Sequence, residues 1–143
     1  MVKSKPALLL AAALLGASYL PGCSRNEPVR ATAAGSVTAD GKAISGVVIR
    51  LKPIAPTKGP KAAVAVINGD FSIGPEFSLH GGLYGVSFTV LPPELLAQLP
   101  EDAKTTAVEK GQFVTNEFDV GSQVTWTLNA GEENRRDFEI TLQ

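Results

Sequence analysis

Thiol and imidazole chemistry can each come from one place only in this chain: Cys23 is the sole cysteine and His80 the sole histidine of 143 residues. A Ser-His-Asp arrangement would have to be built on His80, in the loop-like run Ser78-Leu79-His80-Gly81-Gly82. Gly85-Val86-Ser87-Phe88-Thr89 has the glycine before its serine but lacks the one after it that a nucleophile elbow requires. His80 therefore reads as a loop histidine that is solvated or hydrogen-bonded to backbone. Zinc takes several His or Cys ligands, so no zinc site is expected. Calcium would need oxygens, and Asp40, Asp70, Glu76, Glu117 and Asp119 fall in loops, but none shows the D-x-D-x-D spacing of a calcium loop. Glu101-Asp102 and Glu132-Glu133 are adjacent in sequence, in solvated turns, and do not suit the separated carboxylates of glycoside hydrolysis. Gly81-Gly82 lacks the lysine and following helix of a phosphate loop. The expectation is a noncatalytic protein with no metal and no cofactor.

Two aromatic residues offer a different chemistry. Flat rings stack on sugar faces, and Trp126 and Tyr84 are the candidates for a carbohydrate-binding module, the alternative function. Each is in phase with apolar neighbours, Tyr84 with Val86 and Phe88, Trp126 with Val124 and Leu128, and is more simply a core residue.

Cys23 gains meaning from what precedes it. Lys3 and Lys5 stand before an uncharged run at residues 7–20 that includes Leu8, Leu9, Leu10, Leu14 and Leu15. A positive n-region and a short apolar stretch form a signal segment, and the run falls short of the roughly 20 residues that span a bilayer. Leu20-Pro21-Gly22-Cys23 resembles the lipobox of bacterial lipoproteins, with Pro21 in place of the usual small residue. The resemblance implies cleavage before Cys23, diacylation of its sulfur, and an exported protein held on a membrane by its N-terminal lipid, facing the periplasm or the cell surface. More than one acyl chain makes such an anchor stable. Loss of residues 1–22 removes Lys3 and Lys5 from thirteen basic residues, leaving eleven against fourteen acidic ones and a formal charge of −3. No basic stripe invites nucleic acid. Residues 23–32 read as a polar tether and residues 33–143 as one domain, with an envelope protein or a glycan as its partner.

The domain must be built of strands. Asp40-Gly41 and Asn68-Gly69 supply the left-handed backbone of tight hairpin turns. Val47, Ile49 and Leu51 alternate with polar or outward positions, as do Tyr84, Val86, Phe88 and Val90, then Val124, Trp126 and Leu128, and finally Phe138, Ile140 and Leu142. Apolar residues 63–67 and 71–73 add two more strands around the second turn. Residues 92–122 form a long excursion, with one or two helical turns at 94–99 ended by Pro100, and this is where binding specific to the protein is expected. About seven strands with little helix predict an all-β, antiparallel, immunoglobulin-like or transthyretin-like sandwich with a short helical insertion.

Three motifs carry a family resemblance. The run Gly35-Ser36-Val37 through Gly41 to Ile44-Ser45-Gly46, the turn Asn68-Gly69-Asp70-Phe71 and the strand Gly82-Leu83-Tyr84-Gly85-Val86 look like those of carboxypeptidase regulatory-like, transthyretin-like domains. With the closing Asp137-Phe138-Glu139-Ile140, the whole resembles small lipoproteins of planctomycete type that carry one such domain. The resemblance implies fold more than activity, because every matched residue is structural. It leads to the expectation of a structural or protein-interaction module.

Overall fold

The computed structural model describes residues 29–115 and 117–143. Cys23, the expected signal segment and the first part of the tether lie outside the described residues. The described residues form a two-sheet β-sandwich, as the alternation predicts. One sheet has the order β4 (Ala62–Ala65), β3 (Val47–Pro53), β6 (Gly82–Val90), β7 (Thr125–Leu128), antiparallel throughout. The other is organised on β1 (Thr32–Ala39), which pairs with β2 (Lys42–Ala43), β5 (Asp70–Ile73), β8 (Glu133–Arg135) and β9 (Phe138–Ile140). Val47, Ile49 and Leu51 of β3 and Tyr84, Val86 and Phe88 of β6 all point inward and are buried. Each such side chain contributes roughly 1.5–3 kcal/mol by leaving water.

The structure departs from the sequence expectation in four places. Among the described residues there are nine strands and not about seven, the additions being the very short β2 and β8. Sheet β1 is not purely antiparallel, since β8 and β9 both run parallel to β1. The Asn68-Gly69 turn forms with φ of 49° and 81° and a reciprocal Ile67–Asp70 hydrogen-bond pair, but it does not make a hairpin within one sheet. β4 before it belongs to one sheet and β5 after it to the other, so the turn carries the chain across the sandwich. Finally, the domain starts before residue 33. Ala31 is buried and its N–H donates to the Leu79 carbonyl, and Gly131 N–H donates to the Arg30 carbonyl, so the end of the expected tether belongs to the fold.

The C-terminal segment is fitted closely to β1. A Cβ at Gly35 would overlap the Arg136 carbonyl, so only glycine permits the crossing between β8 and β9 at that point. There, Ser36 N–H donates to Asp137 Oδ1 at 3.0 Å, and hydrogen bonds from Ser36 hold that carboxyl below its ordinary range. Asn134 secures the other end of the segment. Its Oδ1 accepts the Asn129 N–H at 2.8 Å, and its Nδ2 reaches the carbonyls of Thr32 at 2.9 Å and Asn129 at 3.1 Å.

The excursion folds onto the end of the sandwich, with helical turns α1 (Pro93–Leu96) and α2 (Glu101–Lys104); α2, lying beyond Pro100, is the one the sequence did not foretell. A hydrogen-bonded ring fastens it. Asn68 N–H donates to Ser45 Oγ at 2.6 Å, Ser45 Oγ lies 2.7 Å from Thr106 Oγ1, and Thr106 Oγ1 donates to Asn68 Oδ1 at 2.9 Å. Main-chain bonds from Ser45 N to Thr106 O and from Val108 N to Ser45 O complete the seam. Ser45 is fully buried, so each of these partners offsets a desolvation cost.

Replacement of Asn134 by alanine leaves the Asn129 N–H and Thr32 carbonyl without their partner. Asn134→Ala is expected to lower unfolding stability by about 2 kcal/mol in a urea titration; a change under about 0.5 kcal/mol would show the clamp to be dispensable.

Candidate functional site

The residues singled out for chemistry do not converge. Tyr84 is 0% exposed and Trp126 8% exposed, both inside the sandwich. Trp126 packs edge-on against Phe71 at 6.2 Å and against Phe138 at 5.7 Å. This placement agrees with their reading as core residues and disfavours the alternative, sugar stacking, since a stacking platform needs an open ring face and the core covers both. The Tyr84 hydroxyl donates to the His80 carbonyl at 2.9 Å and accepts the His80 N–H at 3.1 Å. It thus ties the 78–82 loop to the core. Burial pushes the phenol above its ordinary value of 10.0, opposed by the His80 backbone contact. The His80 ring lies against Gly59, half-buried, with no side-chain hydrogen bond among the described residues. Among the described residues no three His, Cys, Asp or Glu side chains gather as a metal site.

A site the sequence did not announce lies on the outer face of the four-stranded sheet. Alternation along β3 that turns Ile49 and Leu51 inward turns Arg50 and Lys52 outward. Arg50 stands opposite Ala63 and Leu51 opposite Ala62, and one further step of this register brings Lys61 beside Lys52. Arg50, Lys52, Lys61, Ala63 and Ser87 line a recess of about 320 Å³ with Val120 at its rim. The small side chains of Ala63 and Ser87 leave room for it between the longer ones of Arg50, Lys52 and Lys61. Arg50 Nε donates to Thr89 Oγ1 at 3.3 Å, which holds the guanidinium along the sheet.

The electrostatics of this face are one-sided. β3, β4, β6 and β7 contain Arg50 and Lys52 and no carboxylate, and the β3–β4 loop adds Lys58 and Lys61. The other sheet and its turns carry Asp40, Asp70, Glu132, Glu133, Asp137 and Glu139, and the excursion carries six more carboxylates. Among the described residues the only ion pairs are Lys104–Glu101 and Arg135–Glu133, so Arg50, Lys52 and Lys61 have no carboxylate within 4.0 Å. Asp119, one residue from Val120, instead accepts the Gly121 N–H at 2.8 Å. Like charges opposed across a strand pair destabilise it. Among the described residues, Arg50, Lys52 and Lys61 thus lie together on one face without a carboxylate partner.

The signal in the sequence was present but diluted. Residues 41–69 hold Lys42, Arg50, Lys52, Lys58 and Lys61 and no Asp or Glu. The whole-chain balance hides this run.

Two measurements check this description. Lys61→Glu places a carboxylate beside Lys52 and is expected to raise stability by about 0.5 kcal/mol at low ionic strength, with the gain shrinking in high salt; a loss would contradict the crowding. For Tyr84, a folded-state pKa above 10.0 means the unfolded chain ionises first, so its contribution is intact below pH 10 and declines as pH rises further. Tyr84→Phe is expected to cost about 1 kcal/mol at neutral pH and to flatten that alkaline decline in denaturation profiles. No protein-family model, curated protein or solved structure matches the chain, and its function is argued from this surface.

Proposed function

We propose that this protein is a lipid-anchored, noncatalytic interaction module of the bacterial cell envelope, exported by residues 1–22 and held on the membrane through acylated Cys23. The observation that carries the interaction reading is the uncompensated cationic face of Arg50, Lys52 and Lys61. Such a surface costs stability when empty, and an anionic partner supplies the missing countercharge.

The anchor reading rests on the single cysteine in its Leu20-Pro21-Gly22-Cys23 context, directly after an apolar run too short to span a bilayer. Its geometry suits the domain. The chain enters the sandwich at Ala31, hydrogen-bonded to Leu79 just ahead of β6, and Pro53 at the end of β3 lies opposite Tyr84 near the start of β6. The tether therefore reaches the same end of the sandwich as Lys52 and Lys61. Residues 24–28 extend at most about 18 Å. A partner of the cationic face would be met close to the membrane surface.

The anchor is tested by growing cells with labelled fatty acid. Wild-type protein is expected to take up label and partition with membranes, whereas Cys23→Ser is expected to do neither; equal labelling of the two removes the lipoprotein reading.

A further inference from the structure

The geometry points to the partner's chemistry: the open edge of β4 accepts an extended acidic polypeptide as a fifth strand, and carboxylates at alternate positions of that strand meet Lys61, Lys52 and Arg50. This rests on the interaction reading of the cationic face and names its partner, but it is independent of Cys23 acylation.

The two edges of this sheet are unlike. At β7 the Thr125 carbonyl is taken by Arg136 Nη1 at 2.7 Å, and the neighbouring 118–124 segment continues along β6 through Phe88 N–Phe118 O and Val86 N–Val124 O hydrogen bonds. At β4, among the described residues, no hydrogen bond beyond the β3 ladder involves residues 62–65. Val66 N–H donates to Val47 and its carbonyl accepts from Gly46. By the two-residue alternation of an antiparallel ladder, Ala63 and Ala65 turn their N–H and C=O groups to the open side. Natural edges are protected by short length, by a proline or a charge, by a bulge or by a covering element. β4 is short, four residues, and Pro60 and Lys61 precede it, but Ala-Ala-Val-Ala itself holds neither proline nor charge, so its main-chain groups stay open to a strand of similar length.

The cations lie beside this edge at a spacing that suits a strand. Lys61 directly precedes β4, and Arg50 lies across from Ala63. Alternate residues of an added strand rise about 6.6–7 Å apart on one face, matching positions 61 and 63. Because Ala63 and Ala65 end at a methyl group, nothing tall stands between an incoming carboxylate and Arg50 on the next strand. A longer side chain at Ala63 would block that approach. A free oxyanion would satisfy the charges but not the edge, and an anionic lipid surface would satisfy neither Ala63 nor Ala65. An acidic peptide satisfies both in the mode by which edges recruit partners, with main-chain bonds for affinity and side chains for selection.

The experiment uses the full chain in detergent and, as probe, a synthetic peptide of alternating glutamate and valine, with an alternating lysine and valine peptide as control. The acidic peptide is expected to bind, the basic one not to, and affinity is expected to fall steeply with salt. Arg50→Glu combined with Lys61→Glu is expected to weaken binding about tenfold or more. Ala63→Pro deletes an outward N–H while sparing the β3 ladder and is expected to abolish binding; unfolding titrations establish that each variant is folded. Should Ala63→Pro fail to fold, loss of amide exchange at Ala63 and Ala65 of the wild type on peptide addition is the equivalent readout. Binding that survives Ala63→Pro and is competed by inorganic phosphate would overturn strand addition in favour of a simple anion recess. Binding to phosphatidylglycerol vesicles without binding to the peptide would overturn it in favour of a lipid surface. Absence of peptide binding altogether would also overturn it, without touching the acylation of Cys23.

Discussion

Everything in this sandwich converges on the burial of Phe138. Its ring meets Phe88 at 5.4 Å, Trp126 at 5.7 Å, Phe71 at 6.1 Å and Phe118 at 6.4 Å, mostly edge to face. Phe71 and Phe138 come from the sheet organised on β1, Phe88 and Trp126 from the other sheet, and Phe118 from the excursion. One side chain near the C-terminus thus touches both layers and the excursion that joins β6 to β7. The Arg136 guanidinium lies over the same ring at 4.9 Å, while Arg136 Nη1 reaches the Thr125 carbonyl, so the link between β8 and β9 also caps the β7 edge. Aromatic edge-to-face pairs add roughly 0.5–1.5 kcal/mol each beyond the area they bury.

That constraint explains why the C-terminal segment runs parallel to β1. Phe138 can enter the core only if β9 lies in register with Val37, and Arg136 and Asp137 must then pass over Gly35 and Ser36. The glycine that a sequence reader assigns to a hairpin pattern is needed instead because a main-chain carbonyl occupies the place of a Cβ. The contact spans about a hundred residues of sequence.

The same division of labour shapes the surface. The core takes one side of β3, and its outward side, freed from packing, bears Arg50 and Lys52. The ring of Ser45, Asn68 and Thr106 holds the acidic excursion at the end of the sandwich where β1 and β3 are joined, leaving the outer face of the four-stranded sheet open. The strands of the four-stranded sheet thus bear cations and no carboxylate, while the β1 sheet and the excursion carry charges of both signs.

Some of this was legible in the residues alone. Period-two alternation in 47–51 and 84–90 determined which side chains enter the core, and Asp40-Gly41 and Asn68-Gly69 determined where the chain turns, because both signals act over a few residues. Helix in the excursion was foreseen at 94–99 but not after Pro100, where a proline ended one turn and began another. Tertiary structure alone decided that the Asn68-Gly69 turn crosses between sheets, and that Lys61 comes alongside Lys52 and Arg50 with no carboxylate within 4.0 Å among the described residues. Those outcomes depend on register between strands distant in sequence, and local propensity contains no information about which strand lies alongside which.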